Sequence, residues 1–226
     1  MSSVSKIVES AAVYVASLST SSTPREKTNY YSSSAEIYET VSNVLDYRGP
    51  SLAASIISAH FSGDREAAVV LDVACGTGLV AKQLVTQGFK QIVGVDGSNA
   101  MLELSRKTGL YKDLKQCLLG EEPLSVHWGL FDVVVIVGGL TIGHVPVNVV
   151  RELFDFAKPG GYICMTTRDS CDNAEFKHAL ENELKQMEEE CLWTCVEVTK
   201  EREWIKIKPE RGYNYMTGIV YLYKKI

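Results

Sequence analysis

No apolar stretch in the 226 residues approaches the length of a membrane span, and the first residues have neither a basic start with a continuous apolar segment nor the arginine richness of a transit peptide. The chain is therefore expected in the cytosol or nucleus, with no membrane partner. Basic clusters are also missing: 23 lysines and arginines stand against 28 acids, for a net charge of -5. Without a basic stripe to neutralise phosphates, nucleic acid ranks last among its partners. Cysteine is sparse and unpatterned. Cys75, Cys117, Cys164, Cys171, Cys191 and Cys195 form no Cys-x-x-Cys pair, and several fall in apolar runs. They read as reduced core thiols, and neither a disulfide frame nor a metal site is expected. What is present is a 46% hydrophobic composition at a mean hydropathy near zero, which fits one soluble α/β domain with a substantial core, expected as a monomer.

The stretch that organises the chain is Val69 to Gly78, Val-Val-Leu-Asp-Val-Ala-Cys-Gly-Thr-Gly, running into Leu79-Val80-Ala81-Lys82-Gln83-Leu84. A β-branched run ends on an acid, a glycine-bearing turn follows, and apolar residues then recur at helical spacing. That is a buried strand, a tight loop and a helix. Gly76 and Gly78 allow a ligand to lie on the main chain, facing the free N–H groups of the helix. Gly76-x-Gly78-x-x-Ala81 also satisfies the dinucleotide-binding fingerprint, in which a pyrophosphate sits at that helix start. Asp72 argues against it, because a fixed carboxylate repels a pyrophosphate and attracts an ammonium group.

Before this stretch, Val4, Ile7, Val8, Ala11 and Val15 have helical spacing, and a Ser/Thr-rich linker leads to Pro24. The next helix is read through Ile37, Val41, Val44 and Leu45, with Tyr30, Tyr31 and Tyr38 at its start. Another carries Leu52, Ile56 and His60. After the loop, a second strand, Gln91 to Asp96, places Asp96 about 20 residues beyond the glycines, where an acid accepts hydrogen bonds from a ribose. Gly97 follows, Ser98 suits a helix N-cap, and Met101 is either an adenine cover or core filling. A short third strand is placed at 115–119, a fourth at Phe131 to Val137, and a fifth at Tyr162 to Thr167 after the turn Lys158-Pro159-Gly160-Gly161. A long helix through Phe176, Leu180, Leu184 and Met187 follows. Two strands, 195–207 and 213–223, then flank a turn too short for anything but antiparallel pairing.

Asp72-x-Ala74-x-Gly76-x-Gly78, Gly94-Val95-Asp96-Gly97-Ser98-x-x-Met101 and Lys158-Pro159-Gly160-Gly161 together resemble the class I S-adenosylmethionine-dependent methyltransferases, and among them the vertebrate methyltransferase-like proteins. The resemblance covers roughly 27–200. It implies a Rossmann-like α/β fold, a mostly parallel seven-stranded sheet ending in an antiparallel pair, with helices on both faces. The chain then divides into 1–24, an N-terminal helix and linker, and 25–226, the methyltransferase domain. Within the domain, 25–66 would be lid helices, 67–170 the cofactor-binding core and 171–226 the C-terminal helix and strands. The cofactor would be S-adenosyl-L-methionine, leaving as S-adenosyl-L-homocysteine, held by Tyr31, Tyr38, Asp72, Ala74, Cys75, Gly76, Thr77, Gly78, Asp96, Gly97, Ser98, Met101, Leu119, Gly120 and Val137. Ala74 replaces the family's first glycine and narrows the space over the loop. Relatives carry an acid after the third strand for the adenine amino group. Leu119-Gly120 stands there instead, so backbone groups are expected to take that role.

Methyl transfer is an in-line displacement in which positioning supplies most of the rate, and a base is needed only where the acceptor must lose a proton. His144, Tyr31 and Arg168 are the candidates at the reacting end, with Asp169 beside them. His144 is either base or substrate orienter, or a plain loop histidine. The acceptor is expected to be a small molecule first and a protein group second. A cofactor-binding interaction protein without catalysis and an NAD-dependent oxidoreductase are the alternatives.

Overall fold

The computed structural model describes residues 10–15, 23–124, 129–207 and 214–226. After the helical residues 10–15, two helices, α1 (Pro24–Val44) and α2 (Gly49–His60), precede the sheet. There follow β1 (Val69–Val73), α3 (Leu79–Thr86), β2 (Gln91–Asp96), α4 (Asn99–Thr108), β3 (Asp113–Gln116), β4 (Phe131–Ile136), α5 (Val149–Phe156) and β5 (Ala157–Asp169). A 3-10 turn (Cys171–Asn173), α6 (Ala174–Glu189), β6 (Trp193–Lys206) and β7 (Tyr215–Lys225) complete the chain. The seven strands lie in the order β3-β2-β1-β4-β5-β7-β6, with β7 antiparallel to both neighbours and the rest parallel.

Parallel strands need helical crossovers, so both faces of this sheet are covered and its central strands are apolar throughout. Alternate residues serve the two faces. Leu71, Val73, Val134 and Ile136 pack toward α5 and α6, against Val150, Leu153, Leu180 and Leu184. Val70, Val133 and Val135 pack toward α1, α2 and α3, against Val41, Ala54, Ile57 and Leu84. Strand order reverses between β1 and β4, and the crevice at their carboxyl ends is where open α/β sheets bind ligands.

The expected architecture is the observed one, with shifts at particular elements. Helix α1 begins at Pro24, not at the tyrosines. Thr23 caps it and Glu26 reaches back to the cap, and Pro24 at the first helical position loses no needed hydrogen bond. Tyr30, Tyr31 and Tyr38 therefore lie along the helix body. The third strand is Asp113–Gln116, earlier than 115–119, because it is a polar strand at the sheet's edge with no apolar run to mark it. Strand β5 starts at Ala157 and absorbs Pro159-Gly160-Gly161 through a bulge against β4. Cys75, Cys117 and Cys164 are buried as expected of core thiols, but Cys171, Cys191 and Cys195 are exposed. Of the N-terminal helix, residues 10–15 are helical and turn Ala11 and Tyr14 inward. The remainder of that helix, the linker at 16–22 and the turn at 208–213 lie outside the described residues.

The closest packing joins β7 to β6. A Cβ on Gly218 would lie 2.1 Å from Trp204 Cδ2 and 2.5 Å from its Cγ, and that indole is buried. Gly218→Ala is expected to destabilise by about 1–3 kcal/mol, the range for overpacking, and to lower Tm by several degrees in calorimetry. An unchanged Tm would show that Trp204 repacks freely.

Candidate active site

The site grows from two tight turns at the carboxyl ends of β1 and β2. After Val73 the chain turns through Ala74 (φ 55°), Gly76 (φ 55°) and Gly78 (φ 93°) into α3. An alanine in this left-handed region is held against a steric penalty. Its Cβ faces Gly139, where an added Cβ would come within 3.1 Å. Gly76 is different: a Cβ there would meet nothing within 4 Å, so its main chain opens directly into the crevice. The Gly76 N–H donates to Asp96 Oδ2 at 2.8 Å, and the Ser98 N–H donates to Asp96 Oδ1 at 2.8 Å. One carboxylate thus ties both turns together and keeps unused lone pairs. Burial raises its pKa, and the two amide donors oppose that rise. Ser98 caps α4 through Met101 N–H at 3.2 Å, as its residue type suggests.

These turns floor a cleft of about 740 Å³, including its open mouth. Gly97, Met101, Leu118 and Leu119 line one end, and Val137, Gly138, Gly139, His144 and Val145 the other. Helix α1 roofs it with Pro24, Lys27, Thr28, Tyr31 and Tyr38, joined by Tyr14 and Tyr47. Ser32 and Ser98 hydroxyls meet at 2.8 Å, fixing roof to floor. A second cavity of about 430 Å³ shares Tyr14, Tyr31, Tyr47 and Gly138 with the first and continues to Thr141, Thr167, Arg168, Trp204, Ile205 and Met216.

Of the expected residues, Tyr31, Tyr38, Ala74, Gly76, Asp96, Gly97, Met101, Leu119, Val137 and His144 face the first cleft, and Arg168 faces the second. Asp72, Cys75, Thr77, Gly78, Ser98 and Gly120 do not line it. Asp72 is buried beneath the floor, where Oδ2 accepts the Tyr111 hydroxyl at 2.7 Å and Oδ1 has no hydrogen-bond partner. Burial pushes its pKa up to about 7 against the pull of that hydroxyl. Cys75 is also buried, with its thiol pushed up by burial, and Gly120 abuts Pro146. Asp169 stays out of both cavities because Lys177 and Lys200 hold it, and their hydrogen bonds keep its carboxyl below the usual range.

His144 Nε2 meets the Tyr31 hydroxyl at 2.9 Å, and Nδ1 faces the Ile142 carbonyl at 3.1 Å. A carbonyl only accepts, so Nδ1 carries the proton and Nε2 takes the Tyr31 O–H. Burial first, then the nearby charges of Lys27 and Arg168, lower the imidazole to about 4 against the Ile142 contact. The loop bearing it is held by Asn173, which has no exposed surface. Asn173 Oδ1 accepts from Thr141 Oγ1 and Ile142 N, while Nδ2 donates to Thr167 Oγ1 and the Arg168 carbonyl. Sequence reasoning missed this hub, as it missed Lys27, Tyr14 and Tyr47. Lys27 alone left a signal, lying four residues before Tyr31 and eleven before Tyr38 on one helix face.

A family model of the methyltransferase domain matches residues 70–161. The chain is 45% identical over 168 residues to Methyltransferase-like protein 27 of Homo sapiens, an overlap of 74% of this chain and 68% of that protein. It belongs to the class I S-adenosylmethionine-dependent methyltransferases. A Ubiquinone biosynthesis O-methyltransferase of Bordetella bronchiseptica is 33% identical over 101 residues, which is 43% of this chain and 42% of that one. Among solved structures, the magnesium protoporphyrin IX methyltransferase of Synechocystis PCC 6803 with bound S-adenosylhomocysteine shares the fold. It matches at a TM-score of 0.57 and 13% identity, over 79% of this chain and 84% of that chain. The dinucleotide reading falls away, and the cofactor of this methyltransferase is S-adenosylmethionine.

The residues present fit that cofactor. The open main chain at Gly76 can take its methionyl end, Asp96 its ribose hydroxyls, and Met101, Leu118 and Leu119 an apolar adenine face. Beneath the floor, Asp72 keeps Oδ1 unpartnered, and a cationic ligand above it would favour its ionised form. Hydrogen bonds to a charged group contribute about 1.5–3 kcal/mol each, so Asp96→Ala is expected to weaken S-adenosylhomocysteine binding by roughly tenfold to a hundredfold or more in calorimetric titration. Wild-type affinity in that variant would remove Asp96 from the site.

Proposed function

We propose that this methyltransferase acts on a small molecule, transferring the methyl group in line to a nucleophilic oxygen, nitrogen or sulfur. The observation that carries the reading is the second cavity. It shares Tyr14, Tyr31, Tyr47 and Gly138 with the cofactor cleft and is lined further by Leu140, Trp204, Ile205 and Met216. A narrow, largely apolar and aromatic recess beside the cofactor cleft suits a compact acceptor better than a polymer. The chain's net negative charge also disfavours nucleic acid. When bound, the cofactor supplies an activated methyl group with a good leaving group.

The protein's own part is positioning, exclusion of water and, for acceptors that must deprotonate, a place for the proton. Tyr31, Tyr14 and Tyr47 line both cavities. The Tyr31 hydroxyl, donating to His144 Nε2, retains lone pairs that can accept a hydrogen bond from the acceptor. His144 stays neutral at physiological pH, and its Nε2 is the nearest titratable base to that hydroxyl. A base so weak suits an acceptor that becomes acidic as its bond to carbon forms. Methyl transfer to the small-molecule fraction of a cell extract, followed with isotopically labelled S-adenosylmethionine, tests the reading. Label in a low-mass product is expected, and label confined to macromolecules would overturn it.

A catalytic base must be unprotonated, so its rate limb falls as pH drops through its pKa. With that pKa held near 4 rather than near the ordinary 6.5, kcat/KM should stay level from pH 7.5 down to about 5.5. A limb with its midpoint near 6.5 would show that a buried, neutral His144 is not the base.

A further inference from the structure

The recess beside the cofactor cleft has walls that include Tyr31, Tyr47, Leu140, Trp204, Ile205 and Met216, and the Tyr47 and Trp204 rings meet edge to face at 5.7 Å. Most of its polar side chains are already engaged by the protein. Thr141 Oγ1 donates to Asn173 Oδ1 and accepts from Arg168 Nε, and Thr167 Oγ1 donates to the Leu140 carbonyl and accepts from Asn173 Nδ2. Arg168, the one charged side chain among the described residues that line the recess, is paired with Asp172 at 2.8 Å. The walls therefore ask for no charge from a ligand. Two tyrosines set what they do ask for. Burial first, then Tyr38 and Tyr47, hold the Tyr31 hydroxyl above the ordinary tyrosine range, so it stays protonated and gives its hydrogen to His144 Nε2. Toward a ligand it then only accepts. The Tyr47 hydroxyl, kept protonated by burial too, has no hydrogen-bond partner among the described residues. It stands at Gly138, where an added Cβ would lie 2.7 Å from its oxygen, so the glycine leaves the space before it open. Tyr47 can therefore donate. The Trp204 indole N–H, likewise unpartnered among the described residues, adds a donor and no acceptor.

We infer that the methyl acceptor is an uncharged aromatic hydroxy compound, its ring packed against Tyr47, Trp204 and Met216 and its hydroxyl held between Tyr47, which donates, and Tyr31, which accepts. This rests on the small-molecule reading above and narrows it to a substrate class. A group that receives from one tyrosine and gives to the other must be donor and acceptor at once. A neutral hydroxyl is both, whereas a carboxylate only accepts and an ammonium only donates. Edge-to-face ring contacts and a thioether beside a ring favour a flat aromatic body over a saturated one. In transfer, the acceptor oxygen bonds the methyl carbon as the carbon–sulfur bond breaks toward sulfur. Its proton passes to the Tyr31 oxygen while the Tyr31 proton moves to His144 Nε2.

The test uses the full chain saturated with S-adenosylhomocysteine, whose own titration is run first. Failure of that titration would count against cofactor binding, and label confined to macromolecules in the extract assay would count against the small-molecule reading. The probe series asks only what the recess prefers. Five probes are titrated at neutral pH: 4-methylphenol, toluene without the hydroxyl, 4-methylcyclohexanol without the flat ring, 4-methylbenzoate as the anion and 4-methylbenzylammonium as the cation. The phenol is expected to bind roughly tenfold or more tighter than toluene and tighter than the other three. Tyr47→Phe should cut the phenol-to-toluene ratio by roughly threefold to tenfold while toluene and S-adenosylhomocysteine bind as in wild type. A merely structural role for Tyr47 would move toluene as well. Equal or tighter binding of toluene, the cyclohexanol or either ion overturns the proposal, as does no binding of any probe at millimolar concentration. A Tyr47→Phe variant that keeps the wild-type ratio, or that loses toluene or S-adenosylhomocysteine affinity by the same factor as the phenol, also overturns it.

Discussion

The Asp96 carboxylate is the point on which the site depends. It stands at the end of β2 and accepts one N–H from the loop after β1 and another from the turn that starts α4. Both loops need left-handed or extended backbone that would not hold its shape alone. Each amide is a buried donor that must find an acceptor, and one side chain answers both. The geometry that fixes the loops also leaves the acid facing the cleft with spare lone pairs. The group that fixes the scaffold is therefore also one that lines the cleft. The parallel sheet makes this economy available, because adjacent parallel strands bring their carboxyl ends, and hence their turns, to one edge.

Helix α1 completes the enclosure by a different kind of interaction. Its contacts across the cleft are mainly polar points: Ser32 on Ser98, Tyr31 on His144, Arg25 on Glu121, and Glu39 on Lys82. The Arg25–Glu121 pair is 69% exposed at the arginine and the Lys82–Glu39 pair 37% and 39% exposed at its two partners, and exposed pairs of that kind contribute about 0–1 kcal/mol each. The central strands are almost wholly buried on both faces, and Val41 of α1 packs into the same core, so apolar burial anchors one end of the roof and polar points tie the rest.

The sheet was legible because a strand buried on both faces must be written in apolar residues, and β1, β2 and β4 are. The floor of the cleft was legible for a related reason: a left-handed turn needs glycine, and the acid at the end of β2 stands a fixed distance beyond it. Strand β3 was misplaced because Asp113-Leu114-Lys115-Gln116 lies at the edge and has no such requirement. The start of β5 was hidden because Pro159-Gly160-Gly161 has the composition of a turn, and only its pairing across the bulge to β4 makes it strand. Asn173 left no signal in the chain, since its value lies in four partners from two segments, the Thr141–Ile142 loop and the end of β5, that meet only after folding. Tyr14 was hidden for the same reason. Lys27 stood in plain view on the right helix face, but spacing alone does not separate a lysine that lines a cleft from one that is solvated.

The electrostatic layout of the cleft follows from where each charge enters the fold. Asp72 and Asp96 lie at the carboxyl ends of β1 and β2, on one side of the point where strand order reverses, and the Asp96 charge adds to burial in holding the Asp72 carboxyl above its usual range. Lys27 and Arg168 stand on the other side, on the roof and at the end of β5, with neutral His144 next to them. A cationic cofactor over the acids lowers the cost of holding both carboxylates ionised, so its binding and their ionisation are coupled.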